Sequence, residues 1–275
     1  MDRVRAQLVP YFKGRSLHEI TPKRVEDYVT QRRRGRYRCG HQTRPVKDAT
    51  VNRDIACLKV LFRKAREWGM LDESPATGLK TRKEIPNPPR LLEPDEIARL
   101  IEEMPDHLTA LVACAVYSGL RREELFHLRW EDVKRGELNV VSRQDHPTKN
   151  RESRRIPLCE PLSEALGRHP RRLGCPYVFA NPEGKAYNDV RKSLDKAALR
   201  AGIQDKVGLH QLRHAFCSHA LMSGIDARTV QRWMGHKSLT TTMKYAHVSP
   251  DHEKAAIQRL RYESRHQVGT GTDSQ

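Results

Sequence analysis

The sequence predicts a mainly α-helical protein in two domains, the second carrying a small antiparallel β-sheet. Three observations carry that expectation. Apolar residues recur at helical spacing behind recognisable caps, and short alternating segments appear only in the later part of the chain. Between the two patterns, Pro86, Pro88 and Pro89 fall within four residues and give an extended, semi-rigid stretch. The implied organisation is an α-helical domain over 1–85, a linker over 86–93, a mostly α domain over 94–262 and a small, polar, disordered tail over 263–275.

In the first domain, Thr21 supplies a hydroxyl cap before Pro22 at the first helical position, and Val25, Tyr28 and Val29 follow at helical spacing. That helix stops near the Arg32-Arg33-Arg34 run. After a loop containing glycine and arginine, Asp48 or Thr50 caps a second helix, in which Val51, Ile55, Leu58, Phe62 and Ala65 form one apolar stripe ended by Gly69. The other face of this helix carries Asn52, Arg53, Lys59 and Arg63, a basic, amide-bearing surface that suits DNA phosphates and equally suits plain solvation. Beyond the prolines, 94–103 and 107–118 read as helices, and 138–142, 154–158 and 177–179 as short strands. From 189 to 260 the pattern is helical, with breaks at Gly202, Gly224 and Gly235.

A chain of 275 residues is long enough to bury a core without disulfide staples. Its six cysteines form no Cys-x-x-Cys pair, which favours reduced thiols over a secreted scaffold or a zinc ribbon. The longest apolar run, 110–117, is far below the ~20 residues of a spanning helix, and Met1-Asp2-Arg3 opens no signal segment. The expected location is the cytoplasm, with no membrane contact. Against 34 acidic side chains stand 51 Lys and Arg, a net charge of +17, so the expected partner is a polyanion. Residues 1–90 hold 22 basic and 10 acidic side chains, a net +12, and the remaining 185 residues hold only +5.

Four clusters in the second domain carry chemistry. In Gly119-Leu120-Arg121-Arg122-Glu123-Glu124-Leu125 a helix stops at a glycine and two arginines open the next; such an arginine forks onto a phosphate or pairs with Glu123 or Glu124. Thr148-Lys149-Asn150 lies in the turn between two strands, where a lysine reaches into a cleft or stays in solvent. In Leu209-His210-Gln211-Leu212-Arg213-His214, His210 and Arg213 share a helix face. His210 and His214 have the i, i+4 spacing of zinc ligands, but no HExxH glutamate lies between them, and no metal or other cofactor is expected. Finally Gly235-His236-Lys237-Ser238-Leu239-Thr240-Thr241-Thr242 places a histidine after a glycine, with Tyr245 nine residues later.

Taken in order, these elements resemble the catalytic domain of the tyrosine recombinase, or phage integrase, family. Thr50-Val51-Asn52-Arg53 and Glu67-Trp68-Gly69-Met70-Leu71 resemble its helical, SAM-like core-binding domain. The resemblance spans roughly residues 5–260 and is nearest the short, Xer-like or simple mobile-element forms. It implies the tyrosine recombinase catalytic fold over 94–262 and a site-specific DNA recombinase that cleaves and rejoins strands through a 3′-phosphotyrosine. Arg121, Lys149, His210, Arg213 and His236 are implied as activating residues and Tyr245 as nucleophile, with Thr50, Asn52, Arg53 and Lys59 as DNA contacts. The implied partner is double-stranded DNA bound by a homotetramer, a dimer of dimers on synapsed sites. Tyr117-Ser118 and His214-Ala215 depart from frequent family patterns without removing a catalytic group. A non-catalytic DNA-binding protein on the same scaffold and a type IB topoisomerase remain as alternatives.

Overall fold

The computed structural model describes residues 4–39, 42–84, 90–134, 136–146, 148 and 152–245. The chain forms two compact units, residues 1–88 and 89–275. Residues 86–89 of the expected linker, Lys149 and everything beyond 245, the expected tail included, lie outside the described residues.

In the first unit, a short helix α1 (Val9–Phe12) precedes α2 (Pro22–Arg34), whose first turn is capped as expected: Thr21 Oγ1 accepts from the Arg24 amide. The loop expected next is instead an antiparallel hairpin, β1 (Arg36–Cys39) and β2 (Gln42–Pro45), with Arg36 opposite Pro45. Strands of four residues each are too short for periodicity to reveal. The long helix α3 (Asp48–Glu67) buries Val51, Ile55, Leu58 and Phe62 in one cluster with Val25, Tyr28 and Val29 of α2, and Ala65 is buried on the same stripe. Its cap differs from the expectation. The N-cap position is Lys47, with no side-chain cap bond, while Asp48 and Thr50 lie inside the helix; Asp48 complements the helix dipole in the first turn. One charge enters this core: Asp54 accepts from Arg32 Nε at 3.0 Å and from the Tyr28 hydroxyl, whose pKa is pushed up to about 12 by burial and then by that carboxylate.

The second unit opens with α4 (Pro94–Glu102), α5 (Asp106–Ser118) and α6 (Arg122–Phe126). A three-stranded antiparallel sheet follows, β3 (Val133–Lys134), β4 (Glu137–Val140) and β5 (Arg154–Pro157), in that order, with Val140 opposite Arg154. The strand expected over 177–179 is not formed. Tyr177 makes a single bridge to Arg129, because Pro176 has no amide to continue a ladder. The remaining helices are α7 (Glu160–Arg168), α8 (Arg191–Arg200), α9 (Leu209–Met222), α10 (Ala227–Met234) and α11 (Leu239–Met243). Gly202, Gly224 and Gly235, the expected breaks, all have positive φ. The apolar α5 runs through the centre of the core, against α7 and α9. Among the described residues no helix is long and apolar enough to cross a membrane.

Candidate active site

The site grows from two helix C-termini. Helices α5 and α10 end at Gly119 and Gly235, both left-handed at φ 60° and 61°, so each leaves carbonyls pointing outward with no intrahelical partner. Glycine is required at 119 on a second count. A Cβ there would lie 2.4 Å from Phe216 Cδ1 and 2.8 Å from the Met234 sulfur.

Three arginines satisfy these carbonyls. Arg213, on the buried face of α9 beside Leu209 and Leu212 and only 5% exposed, donates to Gly119 O and, at 2.6 Å, to Met234 O. Arg154 Nε donates to Trp233 O at 2.7 Å, and Arg121 Nη2 to Gly235 O. Arg154 turns inward because strand alternation puts it on the same face of β5 as the buried Ile156. One carboxylate ties the group together. Glu124 accepts both Nη atoms of Arg154 at 3.0 and 2.7 Å, Arg121 Nη1 at 2.9 Å and the Arg121 amide at 2.8 Å. Burial pushes its carboxyl up, but Arg154 and then Arg121 outweigh burial and hold the pKa at about 2. Three guanidiniums against one carboxylate leave a fixed positive centre. Burial, and next the charge of Arg121, bring Arg213 down to about 10, which still leaves it charged at neutral pH.

Arg121, Arg213, His210, His236 and Tyr245 line one cavity of about 630 Å³ within the second unit. Tyr245 follows α11 and packs against the small apolar cluster of Cys217, Ala220, Val230 and Met234. Its ring meets His214 edge to face at 4.7 Å and lies nearly parallel to His236 at 6.2 Å. His214 in turn touches His210 at 4.3 Å. The imidazoles are kept neutral. His236 falls to about 4 through burial and then the charges of Arg213 and Arg121, while His210 is lowered by burial and by Arg213. Burial raises the Tyr245 phenol, and Arg213 pulls it only partly back, so it holds its proton until a base takes it. His236 Nδ1 is 2.9 Å from the hydroxyl of the fully buried Thr242. When that hydroxyl donates, Nε2 of the neutral ring carries the proton and is a donor into the cavity.

Five of the six catalytic residues expected from sequence therefore meet in one cavity; Lys149 lies outside the described residues. Sequence reasoning missed Arg154 and Thr242, and it read Glu124 only as the partner of a surface arginine. The signal for Arg154 was present as an arginine two places before a buried isoleucine in a strand. In the first unit, Arg53 and Lys59 are exposed on α3, but Asn52 is committed: its amide donates to Arg82 O at 2.8 Å and accepts from the Arg82 amide at 3.1 Å.

Residues 90–252 match the model of the phage integrase family. Among similar proteins, the integrase of Haemophilus phage HP1 is 29% identical over 250 residues, covering 87% of this chain and 68% of its own. The tyrosine recombinase XerA of Pyrococcus furiosus is 34% identical over 224 residues, covering 76% and 73%. A crystal structure of XerA recombinase superposes with a TM-score of 0.54 at 25% identity, over 94% of this chain and 91% of that one. The Tn1549 transposon integrase, solved with circular intermediate DNA, shares the fold at a TM-score of 0.68 and 18% identity, over 89% and 87%. The class is that of the tyrosine recombinases, enzymes that break and rejoin DNA strands. The chain belongs to the phage integrase family and acts in site-specific DNA recombination; these matches do not favour a non-catalytic binding protein or a topoisomerase.

Proposed function

We propose that Tyr245 is the nucleophile and that Arg121, Arg213, His210, His236 and Lys149 activate the scissile phosphodiester. The Tyr245 oxygen bonds to phosphorus while the bond from phosphorus to the 5′ oxygen breaks. Negative charge develops on the non-bridging oxygens, where Arg121 and Arg213 supply fixed donors and His236 Nε2 another. His210, held neutral, accepts the phenolic proton, and Lys149 protonates the departing 5′ oxygen. The resulting 3′-phosphotyrosine keeps the ester, so a 5′ hydroxyl of another strand reverses the step without an external energy source. The observation that carries this reading is the convergence of a phenol, two neutral imidazoles and two guanidiniums on one cavity.

Residues 94–262 then form the catalytic domain, and 1–85 a core-binding domain that grips double-stranded DNA through Arg53, Lys59 and Thr50, while Asn52 holds the Arg82 backbone beside them. Exchange between two duplexes needs four cleavages with one nucleophile per chain, which a homotetramer on synapsed sites provides. The cytoplasm is its place of action. A nicked duplex that loses its 5′-hydroxyl fragment on cleavage tests the chemistry. The expected result is a trapped covalent adduct that an added 5′-hydroxyl strand resolves into joined DNA; release of a free 3′-phosphate without joining would contradict transfer.

A further inference from the structure

A second cavity, of about 250 Å³, adjoins the main one at Arg121 and His236. It shares Arg121, Thr148 and His236 with the main cavity, but Tyr245, His210 and Arg213 do not line it. Its outer wall is α10, which presents Arg228 and Arg232 one helical turn apart. Both are exposed, and neither side chain makes a salt bridge or hydrogen bond among the described residues. The inner arginines contrast with these, since Arg121 and Arg154 already commit part of their N–H groups to Glu124 and to backbone carbonyls. Ser153, also in the lining, accepts from the Ser142 amide at 3.1 Å, which leaves its hydroxyl proton available. Glu152 is the single carboxylate of this lining among the described residues and is exposed on the loop before β5.

Two unengaged guanidiniums, a free hydroxyl donor and the field of the buried arginine cluster make a site for one more anion. We propose that this cavity seats a non-scissile phosphate adjacent to the scissile one on the same DNA strand, held by Arg228, Arg232 and Ser153. It would fix the register of the strand over Tyr245. The proposal rests on the strand-cleavage reading above, and the experiment separates the two.

Duplexes carrying a cleavage position are first captured from a random-sequence library as covalent adducts of the full chain. Binding to one captured duplex is then measured in a Tyr245→Phe background, with and without Arg228→Gln and Arg232→Gln together. Each phosphate flanking the scissile one is replaced in turn by an uncharged methylphosphonate. The double variant is expected to bind about tenfold more weakly, with the slope of log K against log salt shallower by about 1. At one flanking phosphate the methylphosphonate is expected to weaken the parent and leave the double variant unchanged. Additive losses at every flanking phosphate, or an unaltered affinity, would overturn the second site while leaving cleavage intact. Failure to capture any adduct would overturn the cleavage reading and the second site with it.

Discussion

In residues 1–88 the cationic side chains Arg53, Lys59 and Arg66 stand in solvent on one helix, whereas in 89–275 Arg154 and Arg213 are buried among carbonyls and beside Glu124. The same guanidinium serves different ends in the two settings. An exposed arginine keeps its rotamers and its hydration, contributes through counterion release, and weakens as salt rises. A buried one has already lost that freedom on folding, so its donors meet a developing charge without rearrangement. Net charge is thus a guide to the class of partner, and buried charge a guide to where chemistry occurs.

The contrast can be broken most sharply at the clamp. Replacing Arg121 by Ala, or Arg213 by Lys so that the fold keeps a buried cation, should cost about 3 kcal/mol in the transition state, ~100-fold or more in single-turnover cleavage. Duplex affinity should change much less. If cleavage stays at the parent rate in both variants, the buried arginines are structural only.

The first unit should fail in the opposite manner. Each unit has its own apolar core, so a fragment beginning at Arg90 should fold, lose roughly tenfold or more in duplex affinity, and show a shallower salt dependence. A salt titration of fragment and full chain on one duplex reads this directly. An unchanged slope would mean that the +12 of residues 1–90 is merely solvated surface.

The smallest expected effect sharpens the role of the imidazoles. His210 must be neutral to take the phenolic proton, and burial with Arg213 lowers its pKa, so falling pH charges it later than an ordinary histidine. Single-turnover cleavage should therefore fall to half its plateau rate only below about pH 6.5, the ordinary histidine value. A half-maximal rate at or above that value would assign the proton to a different group.

Much of this was legible in sequence because the information was local. Thr21-Pro22 capped α2 as read, the stripe from Val51 to Ala65 did form the buried face of α3, and glycine breaks fell where the backbone turns left-handed. The hairpin at 36–45 was missed because short polar strands carry no periodic signal, and the cap of α3 because two plausible residues stood just inside the helix. Arg121, His210, Arg213, His236 and Tyr245 were legible through motif order. Arg154 was not, and Glu124 was legible only as a surface partner of Arg121, since a carboxylate reads as surface until the fold brings an arginine 30 residues away onto it. Burial of charge is a tertiary property, and no spacing along the chain announces it.

The central claim is that the phenol of Tyr245 forms the bond to DNA. Wild-type chain and Tyr245→Phe, each reacted with the nicked duplex, digested and analysed by mass spectrometry, test it most directly. The account predicts one nucleotide-bearing peptide in the wild type, modified at Tyr245, and none in the variant, with duplex binding within a few-fold of the parent. A modified peptide centred on any other residue, or an adduct that persists in Tyr245→Phe, would contradict it.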